Sequence, residues 1–175
     1  MVEAARPVIT SSRAMRSSSE PAAVLVALRR IVRYLRIADR EVESALGLSA
    51  AQLFVLHSLA GSPARSLAEL AERTLTDQSS VSTVVAKLVA RKLVARKIGT
   101  DRRRAEIRLS SAGERVVLAA PRAPQISIIA ALKAMPAARR REVVRALEHL
   151  AGAIGASEVA PRMLFEDAPP RRRKP

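Results

Sequence analysis

From Pro21 to about Leu46, apolar residues fall at Val24, Leu28, Ile31, Leu35, Ala38, Val42 and Ala45, in alternating steps of four and three. This heptad stripe predicts one long helix, with Arg29, Arg30, Arg33, Arg36 and Arg40 on its other faces. Gly47 supplies the stop just past its end. Ser49-Ala50-Ala51-Gln52 then reads as a capping box ahead of Leu53, Phe54, Leu56 and Leu59, predicting a second, short helix that ends near Gly61. Ser66-Leu67-Ala68-Glu69 is another such box, opening a helix with Leu67, Leu70 and Ala71 inward and an end near Leu75. Asp77 precedes Gln78–Leu93, where Val81, Val84, Val85, Leu88 and Val89 make one apolar face.

The period then changes. Val94–Ile98 reads as a strand, and Ala105–Leu109 alternates Ile107 and Leu109 inward with Glu106 and Arg108 outward. Gly99-Thr100-Asp101 supplies turn chemistry between them, giving a β-hairpin with a charged tip, Asp101-Arg102-Arg103-Arg104. Ser111-Ala112-Gly113-Glu114 resembles a further capping box, opening a helix that Pro121 and Pro124 must kink or interrupt. Helical pattern resumes through Ile126, Ile129 and Leu132. Pro136 fits the first turn of a final helix, with Val143, Val144, Leu147 and Leu150 inward and Gly152 or Gly155 near its end.

Composition narrows the fold. The chain has 175 residues and an apolar fraction of 49%, enough for a sizeable core, yet aromatics are only 2% (Tyr34, Phe54 and Phe165) with no Trp. A core of Ala, Leu, Val and Ile suits closely packed helices better than a sandwich or barrel. The expected fold is mainly α with a small β-hairpin. With no cysteine, disulfides, Cys-ligated zinc, iron–sulfur clusters and thiol switches are excluded. His57 and His149 are far apart and have no metal-ligand spacing, so no metal or cofactor is expected. The longest strongly apolar stretch, near Ala22–Leu28, is far shorter than a bilayer span. Residues 1–19 lack the continuous apolar run of a secretory signal, so a cytoplasmic protein without a membrane partner is expected. The first 19 residues, rich in Ser and Arg without periodicity, read as a disordered arm. Residues 158–175, ending in Arg171, Arg172, Arg173 and Lys174, read as a basic mobile tail.

The charge of +15 favours a polyanionic partner. Its distribution sharpens that reading. Between Lys87 and Arg108 there are nine basic residues and two acidic ones, a net +7 in 22 residues. Helix, short turn, helix and basic hairpin is the order of a winged helix-turn-helix, placed here at residues 48–112. A recognition helix needs small polar groups at its N-terminal turns so that its backbone can approach base edges. Gln78, Ser79, Ser80, Ser82 and Thr83 meet that need opposite the apolar face, and Lys87, Arg91 and Lys92 continue toward the DNA backbone. Arginines at a hairpin tip can enter the minor groove. Asp101 among them is expected to orient an adjacent arginine or to cap the turn.

The run Leu48-Ser49-Ala50-Ala51-Gln52, Leu67-Ala68-Glu69-Leu70-Ala71 and Gln78-Ser79-Ser80-Val81-Ser82 resembles the MarR family of bacterial regulators. Lys87-Leu88, Leu93-Val94 and Arg96 extend the match. Its specific part is the wing, Asp101-Arg102-Arg103 followed by Ile107-Arg108-Leu109-Ser110-x-x-Gly113. The resemblance covers about residues 20–155. It implies a homodimer joined through dimerisation helices at 20–47 and 113–157. It also implies a transcription factor on double-stranded DNA, commonly a repressor relieved by a small ligand bound between dimerisation and DNA-binding regions. Ser79, Ser80, Ser82 and Thr83 would then read bases, with Arg102 and Arg103 at the wing tip and Arg104 beside them.

Tyr34 and His57 are candidate ligand-binding residues for an aromatic acid or phenol on the helices flanking that cleft. Ordinary boundary hydrogen bonds are the alternative for both. A non-specific DNA-coating or nucleoid-type protein would also suit the two basic termini. An enzyme is not expected: Ser58 beside His57 is a sequence adjacency, and neighbours on a helix do not face each other.

Overall fold

The computed structural model describes residues 12–98 and 105–166. Seven α-helices and one hairpin follow in the order α1 (Ser12–Leu46), α2 (Ala50–Ala60), α3 (Leu67–Thr74), α4 (Gln78–Ala90), β1 (Val94–Ile98), β2 (Ala105–Leu109), α5 (Ser111–Ala119), α6 (Pro124–Ala134) and α7 (Ala137–Ala153), with a short 3₁₀ turn at Ala156–Glu158. The chain divides into two compact units, one running to Ile37 and the other beginning at Ala38. The first unit carries the larger part of α1.

α1 begins at Ser12, not at Pro21, so helix occupies part of the segment expected to be a disordered arm. An apolar stripe is a sign of burial, and a helix can run on without one; Pro21 sits inside it at the loss of one intrahelical hydrogen bond. Of the heptad stripe, Leu35 and Val42 are buried, whereas Val24 and Ile31 stay half exposed.

In the second unit α2 is the centre. Ala50 through Leu56 and Leu59 are all buried, so this helix is enclosed on every side. Around it pack α3, α4, α5, α6 and β2. Its buried N-terminus is closed as the sequence predicts: Ser49 accepts from Gln52 N–H at 3.3 Å, and Gln52 Oε1 accepts from Ser49 N–H at 3.1 Å. A further free amide, Ala50 N–H, donates to Asp39 Oδ1 at 2.7 Å, a long-range cap supplied by α1.

The hairpin is antiparallel, with Val94 opposite Leu109 and Arg96 opposite Ile107. Ala64, in the α2–α3 connection, adds a bridge on its far side. Its N–H donates to Ile107 O at 2.8 Å, and Ile107 N–H donates back at 2.7 Å. The wing base is thus tied to the helix-turn-helix through a residue with no strand pattern of its own.

At the foot of the wing the capping residue is Ser110, not Ser111: its hydroxyl accepts from Gly113 N–H at 3.1 Å and donates to Lys92 O at 2.7 Å. The register moves by one because Ser110 still has extended backbone (φ −85, ψ 168), as a capping residue requires. Likewise Pro136 is the residue before α7 rather than part of its first turn. The α5–α6 break falls at residues 120–123, where the two prolines predict it.

The last helix departs from expectation. α7 has no buried residue, and Val144 and Leu147, expected inward, are half exposed. Val143 and Leu150 of the same face are half-buried. The segment expected to be a mobile tail is in part fixed: Met163 is buried in the core and Gln125 Nε2 donates to Leu164 O at 3.0 Å. Val159–Phe165 is a largely apolar run with Arg162 as its one charged residue, and Met163 is the side chain that anchors it.

A Cβ on Gly113 would lie 2.1 Å from the carbonyl oxygen of Leu93, a backbone atom that cannot rotate away. Gly113→Ala is therefore expected to cost about 1–3 kcal/mol by forcing α5 off the wing. A lowered urea midpoint would show it, and an unchanged midpoint would mean that the two elements are not pressed together.

Candidate nucleic-acid interface

α3 ends at Thr74, three residues turn, and α4 begins at Gln78. Leu75 makes the turn in the left-handed region (φ 53), with its N–H returned to Ala71 and Glu72 carbonyls. α3 is fastened from below by Arg73, whose guanidinium donates to Ser62 O at 2.7 Å and Pro63 O at 2.9 Å and pairs with Glu69. Glu69 is also the third residue of its own helix. Its carboxylate accepts from Arg65 N–H at 2.9 Å rather than returning to Ser66, so the second capping box is only half formed.

Asp77 organises the start of α4. One carboxylate oxygen accepts from Ser80 N–H at 2.8 Å and Ser79 Oγ at 2.6 Å; the other accepts from Ser80 Oγ at 2.8 Å. The Ser79 hydroxyl, then the Ser80 amide and hydroxyl, hold this carboxyl well below the usual carboxylate range. In Glu69 the Arg65 amide, followed by the Arg73 side chain, lowers the pKa from 4.5 to about 2.

The serine-rich turn divides into two roles. Gln78 and Ser79 are exposed, and Ser82 and Thr83 are half-buried. Thr83 Oγ1 donates to Ser79 O at 3.1 Å, leaving its lone pairs outward. Ser80, expected at a base-reading position, is 2% exposed and turned against the core beside Val81 and Val84. Its hydroxyl serves the cap. Helical phase places it on the inner face, which composition alone does not reveal.

Lys87 is half-buried and engaged within the protein. Arg91 donates to Gly47 O, fastening the end of α4 to the α1–α2 corner. Lys92, Arg96 and Arg108 are exposed along the wing. Asp101, Arg102, Arg103 and Arg104 lie outside the described residues. Tyr34 is half exposed on α1, in the first unit, and His57 Nε2 donates to Pro121 O at 3.2 Å, in the second. Among the described residues no group of three or more His, Asp or Glu side chains could hold a metal ion, and no single helix is long and apolar enough to cross a membrane.

The sequence pattern did not disclose Asp39, Ala64 or Arg73. Each acts on backbone atoms distant in sequence, and none stands in a motif.

A capped helix with small polar residues on its free N-terminal face, followed by a basic hairpin, defines a winged helix-turn-helix. Residues 46–104 match the family model described as MarR family. The match spans the winged helix-turn-helix of this chain and supports a DNA-binding regulator. The fold is similar to that of a MepR-like protein complexed with pseudoligands, at 23% identity and a TM-score of 0.53, covering 76% of this chain and 94% of that one. BpsR of Bordetella bronchiseptica is 29% identical (TM-score 0.49, covering 73% and 93%). The MarR family protein Rv2887 of Mycobacterium tuberculosis is 28% identical (TM-score 0.48, covering 75% and 95%). No curated protein matches.

The lowered carboxyls predict acid sensitivity with a definite sign. Both favour the folded state in their ionised form, so their contribution is present above the unfolded pKa and is lost as pH falls through the folded one. For Glu69 that window runs from 4.5 down to about 2. Urea midpoints measured across this range should fall with pH, and more shallowly in Glu69→Gln and Asp77→Asn. Parallel curves for all three proteins would contradict the assignment.

Proposed function

We propose that the protein is a homodimeric, sequence-specific regulator of double-stranded DNA, a repressor relieved by a small, aromatic ligand. The observation that carries this reading is the outer face of α4. Gln78, Ser79, Ser82 and Thr83 are presented there by an Asp77 cap that holds the first turn from behind. Gln78 has the side chain suited to a bidentate bond with adenine, and the hydroxyls accept or donate to any base edge. Ser80 positions rather than reads. Lys92, Arg96 and Arg108, with Arg102, Arg103 and Arg104 of the wing tip, supply phosphate and minor-groove contacts, and Asp101 orients the tip.

Dimerisation is supported by apolar surface left uncovered in one chain. Val24, Leu25 and Ile31 of α1 are about half exposed, as are Val144 and Leu147 of α7, and Ile154 is 71% exposed. A second copy covering such faces would place two reading helices about one DNA turn, ~34 Å, apart on a pseudo-palindromic site. Leu147→Asp should yield a monomer in sedimentation and lose operator binding while keeping its helical circular dichroism. A dimer surviving that charge would move the interface elsewhere.

Selection of bound sequences from random duplex DNA tests the whole reading. An inverted repeat is expected, with affinity falling steeply between ~50 and ~200 mM salt. Gln78→Ala should cost about 1–3 kcal/mol on the selected site and little on random duplex. Equal affinity for selected and random DNA would favour a coating protein and overturn specific regulation.

A further inference from the structure

After α7 the chain comes back onto the second unit. Gly155 turns it with φ 73, and the 3₁₀ turn and an extended stretch follow. Met163 is buried in the core, and Gln125 holds the next residue through Leu164 O. Residues 161–164 are thereby fixed as a strap beside the turn that leads into α4. Pro161 lines one groove with Glu72, Thr76 and Asp77, the cap of that helix. Arg162 lines the neighbouring cleft with Thr74, Leu75 and Thr76. The wing follows the other end of α4, so strap and hairpin stand at opposite ends of that helix.

Arg162 is exposed, and among the described residues its side chain has no ion pair or hydrogen bond. In this it differs from Arg73 and Arg91, which tie the fold. Glu166, four residues on, turns one carboxylate oxygen into the protein. Arg171, Arg172, Arg173 and Lys174 follow and lie outside the described residues. At no more than about 3.6 Å per residue, these four cations reach at most about 18–29 Å from Glu166. That span is comparable to the length of α4, whose 13 residues rise about 20 Å. Glu72 and Asp77 are the carboxylates of the Pro161 groove, and Asp77 is taken up by Ser79 and Ser80. Too little negative charge stands there to hold five cations, whereas a DNA duplex carries one charge per about 1.7 Å.

We propose that the strap and the segment beyond it are a second DNA-contacting element. Arg162, Arg171, Arg172, Arg173 and Lys174 engage phosphates of the duplex held by α4, from the end of that helix opposite the wing. This element rests on the reading of the protein as a DNA-binding regulator. It adds affinity without base choice, because phosphates carry no sequence. The Met163 anchor makes these contacts part of each specific complex, since it keeps the cations at high local concentration beside the site.

Anisotropy titrations on the selected duplex compare the unaltered full chain with a variant carrying Arg171→Gln, Arg172→Gln, Arg173→Gln and Lys174→Gln. The fourfold variant should bind about ten- to a hundredfold more weakly at ~100 mM salt, with a log–log salt slope shallower by about 2–4. Random duplex should weaken by the same factor. Arg162→Gln should take about 1 from the slope and leave the melting temperature unchanged. Because the chain has no cysteine, Pro175→Cys can carry a single iron–EDTA cleavage reagent. Its cuts should fall in a narrow window repeated symmetrically in each half-site. Inserting about ten Gly and Ser residues after Glu166 should broaden that window. An unchanged slope in the fourfold variant, weakening on random duplex alone, or cuts spread evenly along the duplex overturns the element. The unaltered chain reads the regulator function separately: no binding to any duplex removes that reading, whereas full binding by the fourfold variant removes this element alone.

Discussion

Everything in the second unit depends on the burial of α2. A helix enclosed on all sides cannot leave its terminal amides to water, so each must find a partner inside the protein. Ser49 and Gln52 serve two donors reciprocally and Asp39 takes a third. Because the chain is so poor in aromatics, α2 can be surrounded closely by helices whose contacts are Ala, Val and Leu. That close approach places the start of α4 and the base of the wing at fixed distances from one support.

Around that support α3, α4 and the hairpin are held chiefly by bonds to backbone. Arg73 grips the carbonyls of the α2–α3 connection, Arg91 that of Gly47, Ala64 pairs with Ile107, and Ser110 bonds Lys92. Carbonyl acceptors are indifferent to which side chains face outward. The outer face of α4 is therefore free to vary without loss of fold, and Asp77 spends its acceptors on Ser79 and Ser80 of the turn it caps.

Basic residues on this surface are not equivalent. Arg73 and Arg91 are committed to structure. Those left exposed lie along the wing. Within the Lys87–Arg108 run Arg91 is thus tied to the fold, since arginine's several donors make it as useful for tying loops as for holding phosphate.

Element order, the caps Ser49, Ser66 and Asp77, the hairpin spans and the proline break were legible in the sequence because each rests on neighbours within a few residues: a period, a cap, a missing N–H. Tertiary structure decided the rest. It turned Ser80 inward, moved the cap of α5 to Ser110, left Val144 and Leu147 uncovered, and drew Met163 into the core. It alone joined Gln125 to Leu164 and Asp39 to Ala50. These outcomes depend on which surfaces meet, and local pattern records that a face is apolar without recording what covers it.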